Sequence, residues 1–230
     1  MSAHEPSALH DPTRVSAARR RGEVAAAGHR GEADVARRHL EDEDPGVRAS
    51  ALGALHRSGA LFGSDLEGGL SDPEASVRRR AAELAARIGK DQSDEKDSED
   101  ERDGEGLAGL LVGALRDPDA SVVEAACFAL GELGDPSAVT ALVGVAAGHG
   151  EPLCRESAVA ALGAIGDPAG LAAVLAATGD RPAIRRRAVI ALAAFEGPEV
   201  DDALARARSD RDWQVRQAAE DLTGSRPAPR

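Results

Sequence analysis

A repeat of about thirty residues limits what this chain can fold into more than any other feature of its sequence. One apolar position recurs at intervals of 30, 45, 32, 30 and 31 residues. The interval of 45 returns to 30 when the 15 residues of an acidic segment, residues 91–105, are subtracted, so this segment is predicted to be an insertion between two regular repeats. The recurring apolar residues are Val47, Val77, Val122, Cys154, Ile184 and Val215.

The residues that follow the recurring apolar position indicate a helix. Positions four, seven and eight residues later are almost all Ala or Leu, and at about 100° per residue these positions share one helical face with it. An acid followed by proline precedes four of these helices, at Asp44, Asp72, Asp117 and Glu151. There the carboxylate can accept from free backbone N–H groups, and proline fits the first turn. Each repeat is therefore predicted to be two helices joined by tight turns.

Small side chains dominate the predicted buried face. The chain has three Phe, one Trp and no Tyr, which makes a single thick core hard to fill, whereas stacked helix pairs with thin interfaces need no large side chains. Residues 15–21 and 23–27 are predicted to form a degenerate pair that caps the array. The first helices of the other pairs are predicted near residues 32–40, 61–70, 106–115, 137–147, 169–177 and 199–207.

The run from Asp117 to Pro136 and the matching run from Glu151 to Pro168 resemble HEAT repeats of the short type, which also occurs in phycobilin lyases. The resemblance covers about residues 32–223. It implies an all-α fold, a right-handed α-solenoid of about six HEAT-like helix pairs with a degenerate N-terminal cap. The predicted organisation is a disordered tail (1–12), the cap and first two repeats (13–89), an acidic disordered insertion (90–105), further repeats (106–223) and a second disordered tail (224–230).

The charge and composition of the chain bear on its partners and location. The net charge of -12 argues against nucleic-acid binding, because that affinity rests on a positive surface. Residues 91–105 carry nine acids, two basic residues and no hydrophobic residue, so we expect a disordered segment that is either a solvated spacer or an electrostatic tether for a basic partner. Two cysteines, no apolar leader and no apolar run near ~20 residues lead us to expect a cytoplasmic protein with no membrane partner.

An arginine follows the recurring apolar residue in five of the six repeats. These arginines either form an anion-binding ladder or, as we expect, bond turn carbonyls and the acids of neighbouring repeats. Val123 interrupts the series, which an anion channel would tolerate poorly. The five residues are Arg48, Arg78, Arg155, Arg185 and Arg216.

Histidines and cysteines raise the question of catalysis. HEAT-like deoxyhypusine hydroxylases hold iron with repeated His-Glu pairs, and here only His4 and Glu5 form such a pair, so neither a metal nor a cofactor is predicted. Cys127 and Cys154 are predicted to be small buried side chains, the alternative being a lyase-type nucleophile. The sequence therefore predicts no catalytic residue.

The exposed face of the second helices is the candidate binding surface, because solenoids usually bind on the concave side that these helices line. Two and six residues after the recurring position this face should carry polar side chains, yet it includes Phe128 and Ile190. These two residues are either anchors of a groove or packed between repeats. Trp213 is expected to cap the terminal interface. The candidate partner-binding residues are Arg79, Glu83, Glu124, Phe128, Arg186 and Ile190.

The absence of a convergent catalytic constellation in the sequence favours binding over catalysis. The prediction is a non-enzymatic protein–protein interaction scaffold or adaptor that binds another protein on the concave surface. The alternative is an accessory lyase-like protein, which the resemblance to HEAT-type phycobilin lyases implies. A nucleic-acid reader similar to the HEAT-like DNA glycosylases is disfavoured by the acidic charge.

Overall fold

Helices account for the regular structure in the part of the chain that the computed structural model describes, residues 12–94 and 101–225. Thirteen α-helices and no strand occur within these residues, so the all-α prediction is confirmed. Short 3-10 helices lead into the eighth and tenth α-helices and end the eleventh. The α-helices are α1 (Pro12–Arg30), α2 (Ala33–Arg37), α3 (Pro45–Arg57), α4 (Gly63–Leu70), α5 (Ala75–Asp94), α6 (Glu101–Ala114), α7 (Ala120–Leu133), α8 (Val139–Gly148), α9 (Pro152–Ile165), α10 (Leu171–Ala177), α11 (Pro182–Ala191), α12 (Pro198–Ala207) and α13 (Trp213–Ser225).

The helices from α2 onward form six pairs, which is the predicted number. In each pair the even-numbered helix is the first helix, and the odd-numbered helix is the second helix, which carries the buried recurring apolar residue. Successive second helices pack side by side, α7 against α9, α9 against α11 and α11 against α13. The chain divides into two compact units, one ending at Leu84 and the other beginning at Ala85.

The N-terminal cap differs from the predicted pair of short helices. A single helix, α1, runs through both predicted segments. The backbone at Gly22, where a turn between the two segments was expected, is helical. One glycine costs a helix about 1 kcal/mol, which the burial of Val24 and Ala27 offsets. The helix packs along α3, where a Cβ at Gly28 would lie 2.7 Å from the Cα of Ala54. It therefore takes the place of a second helix at this end of the first unit.

Helical backbone enters the predicted acidic insertion from both sides. The α5 helix continues to Asp94 and α6 begins at Glu101, because adding a residue to an existing helix avoids the cost of nucleation. Residues 95–100 lie outside the described part of the chain, and their disorder stays a prediction. The same holds for the tails, since α1 begins at Pro12, α13 ends at Ser225, and residues 1–11 and 226–230 are not described.

Acidic side chains hold the turns before the second helices, and their positions partly correct the predicted caps. The carboxylate of Asp44 accepts a hydrogen bond from a backbone N–H in the first turn of α3, as predicted. Asp72 and Asp117 stand three residues before the first helical residue, so each accepts from the backbone N–H two residues later within the turn. The side chain of Glu151 makes no capping hydrogen bond.

Glycine and alanine let successive second helices approach closely in the second unit. A Cβ at Gly131 would lie 3.0 Å from the Cα of Ala161, and one at Gly163 would lie 2.5 Å from the Cβ of Ala191. Both glycines stand nine residues after the recurring apolar residue, and both alanines stand seven residues after it in the next repeat. Backbone contact at this point fixes the spacing between repeats and explains why small side chains fill the core.

Candidate functional site

Arginine side chains tie neighbouring repeats together at the start of the second helices. Arg48 donates from Nε and Nη2 to the two carboxylate oxygens of Asp72, at 2.7 Å each, and Arg185 binds Asp210 in the same way at 2.9 and 2.7 Å. All five predicted arginines also donate from Nη1 to a carbonyl oxygen of the turn before their own helix. The structural interpretation is confirmed, because protein groups already bind these guanidinium groups. Similar pairs join Arg20 to Asp42 and Arg155 to Asp180.

The interruption at Val123 removes both members of one such pair. Val123 is buried, and the turn before α9 has His149 five residues before the recurring apolar residue, where four of the other turns have an aspartate. In the turn before α11 the aspartate, Asp180, stands four residues before it. The Nδ1 atom of His149 accepts a hydrogen bond from the backbone N–H of Glu151 at 3.1 Å. The His149 imidazole thus accepts the backbone hydrogen bond that an aspartate accepts in other turns. No arginine–aspartate pair forms at these two positions, because Val123 replaces the arginine and His149 replaces the aspartate.

Both cysteines are buried in the second unit, as predicted. Burial, together with the neighbouring Cys154 and Glu124, raises the pKa of the Cys127 thiol to about 12. Burial also raises the pKa of Cys154, whose Sγ donates to the carbonyl oxygen of Ala120 at 3.3 Å. At neutral pH the Cys127 side chain is therefore a neutral thiol and not the nucleophilic thiolate.

Two further kinds of site bear on function. Among the described residues, no group of three or more His, Cys, Asp or Glu side chains is arranged to hold a metal ion. His4 and Glu5 lie outside the described ranges. No helix between residues 12 and 94 or between 101 and 225 is both long and apolar enough to cross a membrane.

The six predicted surface residues fall into three grooves, two residues in each. Each groove lies between successive second helices, and we name the grooves α3–α5, α7–α9 and α11–α13 after those helices. Phe128 is 59% exposed and Ile190 is 39% exposed, so neither is packed away between repeats. The pairs are Arg79 and Glu83 in the α3–α5 groove, Glu124 and Phe128 in the α7–α9 groove, and Arg186 and Ile190 in the α11–α13 groove.

The α7–α9 groove combines an apolar lining with an acidic rim. Phe128 on α7 and Leu153 on α9 both line it, and Leu153 is 52% exposed. One guanidinium, that of Arg187, lines the groove, and its Nε lies 3.6 Å from Oε1 of Glu156. Three carboxylates and one guanidinium give this groove a negative charge around its apolar side chains. The three acidic residues are Glu124, Glu132 and Glu156.

The α11–α13 groove is apolar with a mixed rim, and it corrects the role predicted for Trp213. This side chain is 64% exposed and lines the groove beside Ile190, so it does not seal the terminal interface. Its position at the first residue of α13, two before the buried Val215, turns it away from the buried face. Arg186 and Asp221 give the rim both signs of charge.

The α3–α5 groove has a different chemistry. Its charged lining is Arg57, Arg79, Arg80 and Glu83, and no exposed large apolar side chain is part of it. Glu83 lies 3.1 Å from Nη1 of Arg80 and 3.8 Å from Nε of Arg79. The Arg79 and Glu83 side chains therefore pair mainly within their own helix.

Sequence reasoning missed Leu153 and gave Trp213 a capping role, whereas each of them lines one of the two apolar grooves. They stand one and two residues before the recurring apolar position, where the other repeats have Gly, Ser, Ala, Pro or Gln. A large apolar residue at a position that is otherwise small or polar in the repeat is the signal that singles out both residues.

Comparison with known proteins bears on the fold. Residues 107–183 match the family model of HEAT repeats, and no curated protein sequence matches the chain. The CpcE–CpcF complex of phycocyanin lyase from Nostoc sp. PCC7120 is similar over 98% of this chain and 82% of that chain, with 21% identity and a TM-score of 0.58. A designed armadillo repeat protein in complex with the peptide (KR)4 is similar over 81% of this chain and 96% of that chain, with 19% identity and a TM-score of 0.57. These likenesses concern the fold alone, and they confirm the predicted solenoid class of HEAT-like repeats.

Proposed function

We propose that this array of HEAT-like repeats is a non-enzymatic adaptor that binds another protein through the exposed face of the second helices in its second unit. The proposal rests on where the exposed large apolar side chains lie. Of the five found in the described residues, four line the α7–α9 and α11–α13 grooves: Phe128, Leu153, Ile190 and Trp213. Clusters of this kind on one face are typical of contact sites rather than of a purely solvated surface.

The energetics favour a partner that reaches both grooves. Full burial of a Phe, Leu or Ile side chain contributes about 1.5–3 kcal/mol. Since roughly half of each side chain is already covered, the two apolar side chains of one groove supply about 1.5–3 kcal/mol. Association must first offset a loss of translational and rotational freedom of about 4–15 kcal/mol. A partner held by one groove alone would therefore bind weakly, whereas two grooves with their polar rims support a specific complex.

The lyase-like alternative finds no support in the residues that would carry it. The similar Nostoc complex is a phycocyanin lyase, but both candidate nucleophiles of this chain are buried and the pKa of Cys127 is raised to about 12. A buried neutral thiol is a poor nucleophile. The similar armadillo protein holds a peptide, which illustrates that stacked helices of this fold suit the binding of a polypeptide.

We expect the Phe128→Ala variant to lose a partner that the Phe62→Ala variant keeps. Truncating a central apolar anchor costs about 2 kcal/mol, which weakens binding about 30-fold. Phe62 is the matched control because it is 60% exposed and lines neither apolar groove. The measurement is quantitative mass spectrometry of proteins captured on the immobilised chain and its variants from a lysate of the cells that make the protein.

A second variant and a folding check complete this experiment. Trp213→Ala should weaken capture of the same protein, and circular dichroism should show unchanged helicity because both side chains are exposed. Proteins held equally well by the wild type, Phe128→Ala and Trp213→Ala would bind elsewhere, and the proposed surface would then be rejected.

A further inference from the structure

We infer that the partner binds the two apolar grooves through an extended segment that carries two apolar residues five or six positions apart. The apolar residue that occupies the α7–α9 groove has a lysine or arginine next to it in the sequence of the partner. This inference rests on the proposed function and specifies the chemistry of the ligand. It combines the charge of one groove, the polarity of the other and the spacing between them.

The charge requirement comes from the α7–α9 groove. Glu124 and Glu156 line this groove together with Phe128 and Leu153, and Arg187, the one guanidinium of the lining, lies close to Glu156. An apolar side chain that enters here brings its sequence neighbours up to a rim with an excess of negative charge. A basic neighbour is attracted, and an acidic neighbour meets like charge, so the rim selects by sign.

The α11–α13 groove does not select the charge of the residue that it binds, because its rim carries both signs of charge. Arg186 and Asp221 oppose one another in charge along its rim, and the amides of Gln214 and Gln217 complete the polar lining. Amide side chains both donate and accept hydrogen bonds, which suits the unpaired backbone N–H and C=O groups of an extended chain. The Gln217 Nε2 atom already donates to Oδ1 of Asp221 at 2.8 Å, and the Gln217 side-chain oxygen can accept a hydrogen bond at the same time.

The spacing follows from the stacking of the second helices. Phe128 and Ile190 both stand six residues after the recurring apolar position, so they lie at the same level along their helices. The two grooves are two helix steps apart, α7 to α9 to α11 to α13, and packed helix axes are about 8–10 Å apart. The separation is therefore roughly 18 Å, which an extended chain covers in about five or six residues.

An extended segment fits this span better than a helix. A helical segment rises about 1.5 Å per residue and would need about twelve residues to cover the same distance. It would also satisfy its own backbone groups, so the glutamine amides would find no backbone partner. The extended form uses both the apolar grooves and their amide rim.

Selection from a displayed library of random 16-residue peptides tests the inference. Peptides enriched on the wild-type chain and on Phe62→Ala, but not on Phe128→Ala/Trp213→Ala, should share a basic residue beside one apolar residue and a second apolar residue five or six positions away. For a synthetic peptide of this sequence, Glu124→Lys should weaken binding about 5-fold at low salt, while Asp202→Lys, an exposed site on α12 outside the grooves, should leave it unchanged. Deleting two residues between the apolar positions should weaken binding about 30-fold, since one anchor is lost.

Groove-dependent peptides without a basic residue, or with unrestricted spacing, would overturn this inference while leaving the proposed function intact. Failure to enrich any peptide that depends on Phe128 or Trp213 would also overturn it. The proposed function is decided separately by capture of a folded protein on the Phe128→Ala and Phe62→Ala variants. Failures of the two proposals are therefore distinguishable.

Discussion

Replacing Arg185 by alanine should lower the free energy of unfolding by about 3 kcal/mol, as measured by urea titration followed by circular dichroism. Arg185 is 6% exposed and is the one buried charged residue among those described. It binds both carboxylate oxygens of Asp210 and the carbonyl oxygen of Asp180, and so links two successive turns. Removing one member of such a pair leaves the other charge without its partner, which costs about 3–5 kcal/mol when the site is dry, and the slight exposure of Asp210 favours the lower value.

Arg186→Ala is the matched control for this prediction, because the neighbouring side chain is exposed and its loss should change stability by less than about 0.5 kcal/mol.

The pH dependence of the free energy of unfolding gives a second readout. Hydrogen bonds from Arg185 hold the pKa of Asp210 below its ordinary value. The pair therefore stabilises the fold fully above the ordinary pKa, and this contribution is lost as the pH falls below about 4 and through the folded pKa. The wild type should lose more stability over this window than Arg185→Ala. Equal stabilities of the two alanine variants at neutral pH would contradict the structural role of the arginine.

Gly163→Ala should lower the free energy of unfolding by about 2 kcal/mol, whereas Gly144→Ala should raise it by about 0.5–1 kcal/mol. Both glycines lie inside helices, where alanine is intrinsically favoured. A Cβ at Gly163 would lie 2.5 Å from the Cβ and 2.7 Å from the Cα of Ala191, while a Cβ at Gly144 meets nothing within 4 Å. Because the obstacle at Gly163 is a neighbouring backbone, α9 and α11 must move apart. Thermal and urea unfolding of both variants measure the opposite signs.

The double variant Gly163→Ala/Ala191→Gly identifies the cause of the loss. Removing the Ala191 Cβ relieves one of the two close contacts, so the double variant should be more stable than the sum of the two single changes predicts. Strict additivity, or a Gly163→Ala protein as stable as Gly144→Ala, would mean that the second helices do not meet at this point.

The repeat was predictable because its signal is carried by positions that the fold treats identically. The alanine four residues after the recurring apolar residue is fully buried in all six repeats. The N-terminal cap was harder to predict, since Gly22 is compatible with either a turn or a helix and only packing against α3 decides between them. The caps predicted at Asp72 and Asp117 were displaced because these turns are two residues longer, so each acid accepts from a backbone N–H of the turn instead of the helix.

The candidate surface was only partly predictable. Helical periodicity placed Phe128 and Ile190 on the exposed face of the second helices, where the position of the neighbouring helix decides whether a side chain is covered. Leu153 and Trp213 stand in the first turn of their helices, before the positions from which the repeat was recognised. Which of these side chains share a groove depends on helix packing and could not follow from one sequence.

Photo-crosslinking from position 128 tests most directly that the exposed face of the second helices binds another protein. A photoreactive phenylalanine analogue is placed at Phe128 in one protein and at Phe62 in another, and each is irradiated with the captured partner. The two side chains are almost equally exposed, at 59% and 60%, so accessibility alone does not distinguish them. We predict a covalent product with the partner from position 128 and none from position 62. A product from position 62 alone would contradict the assignment of this surface.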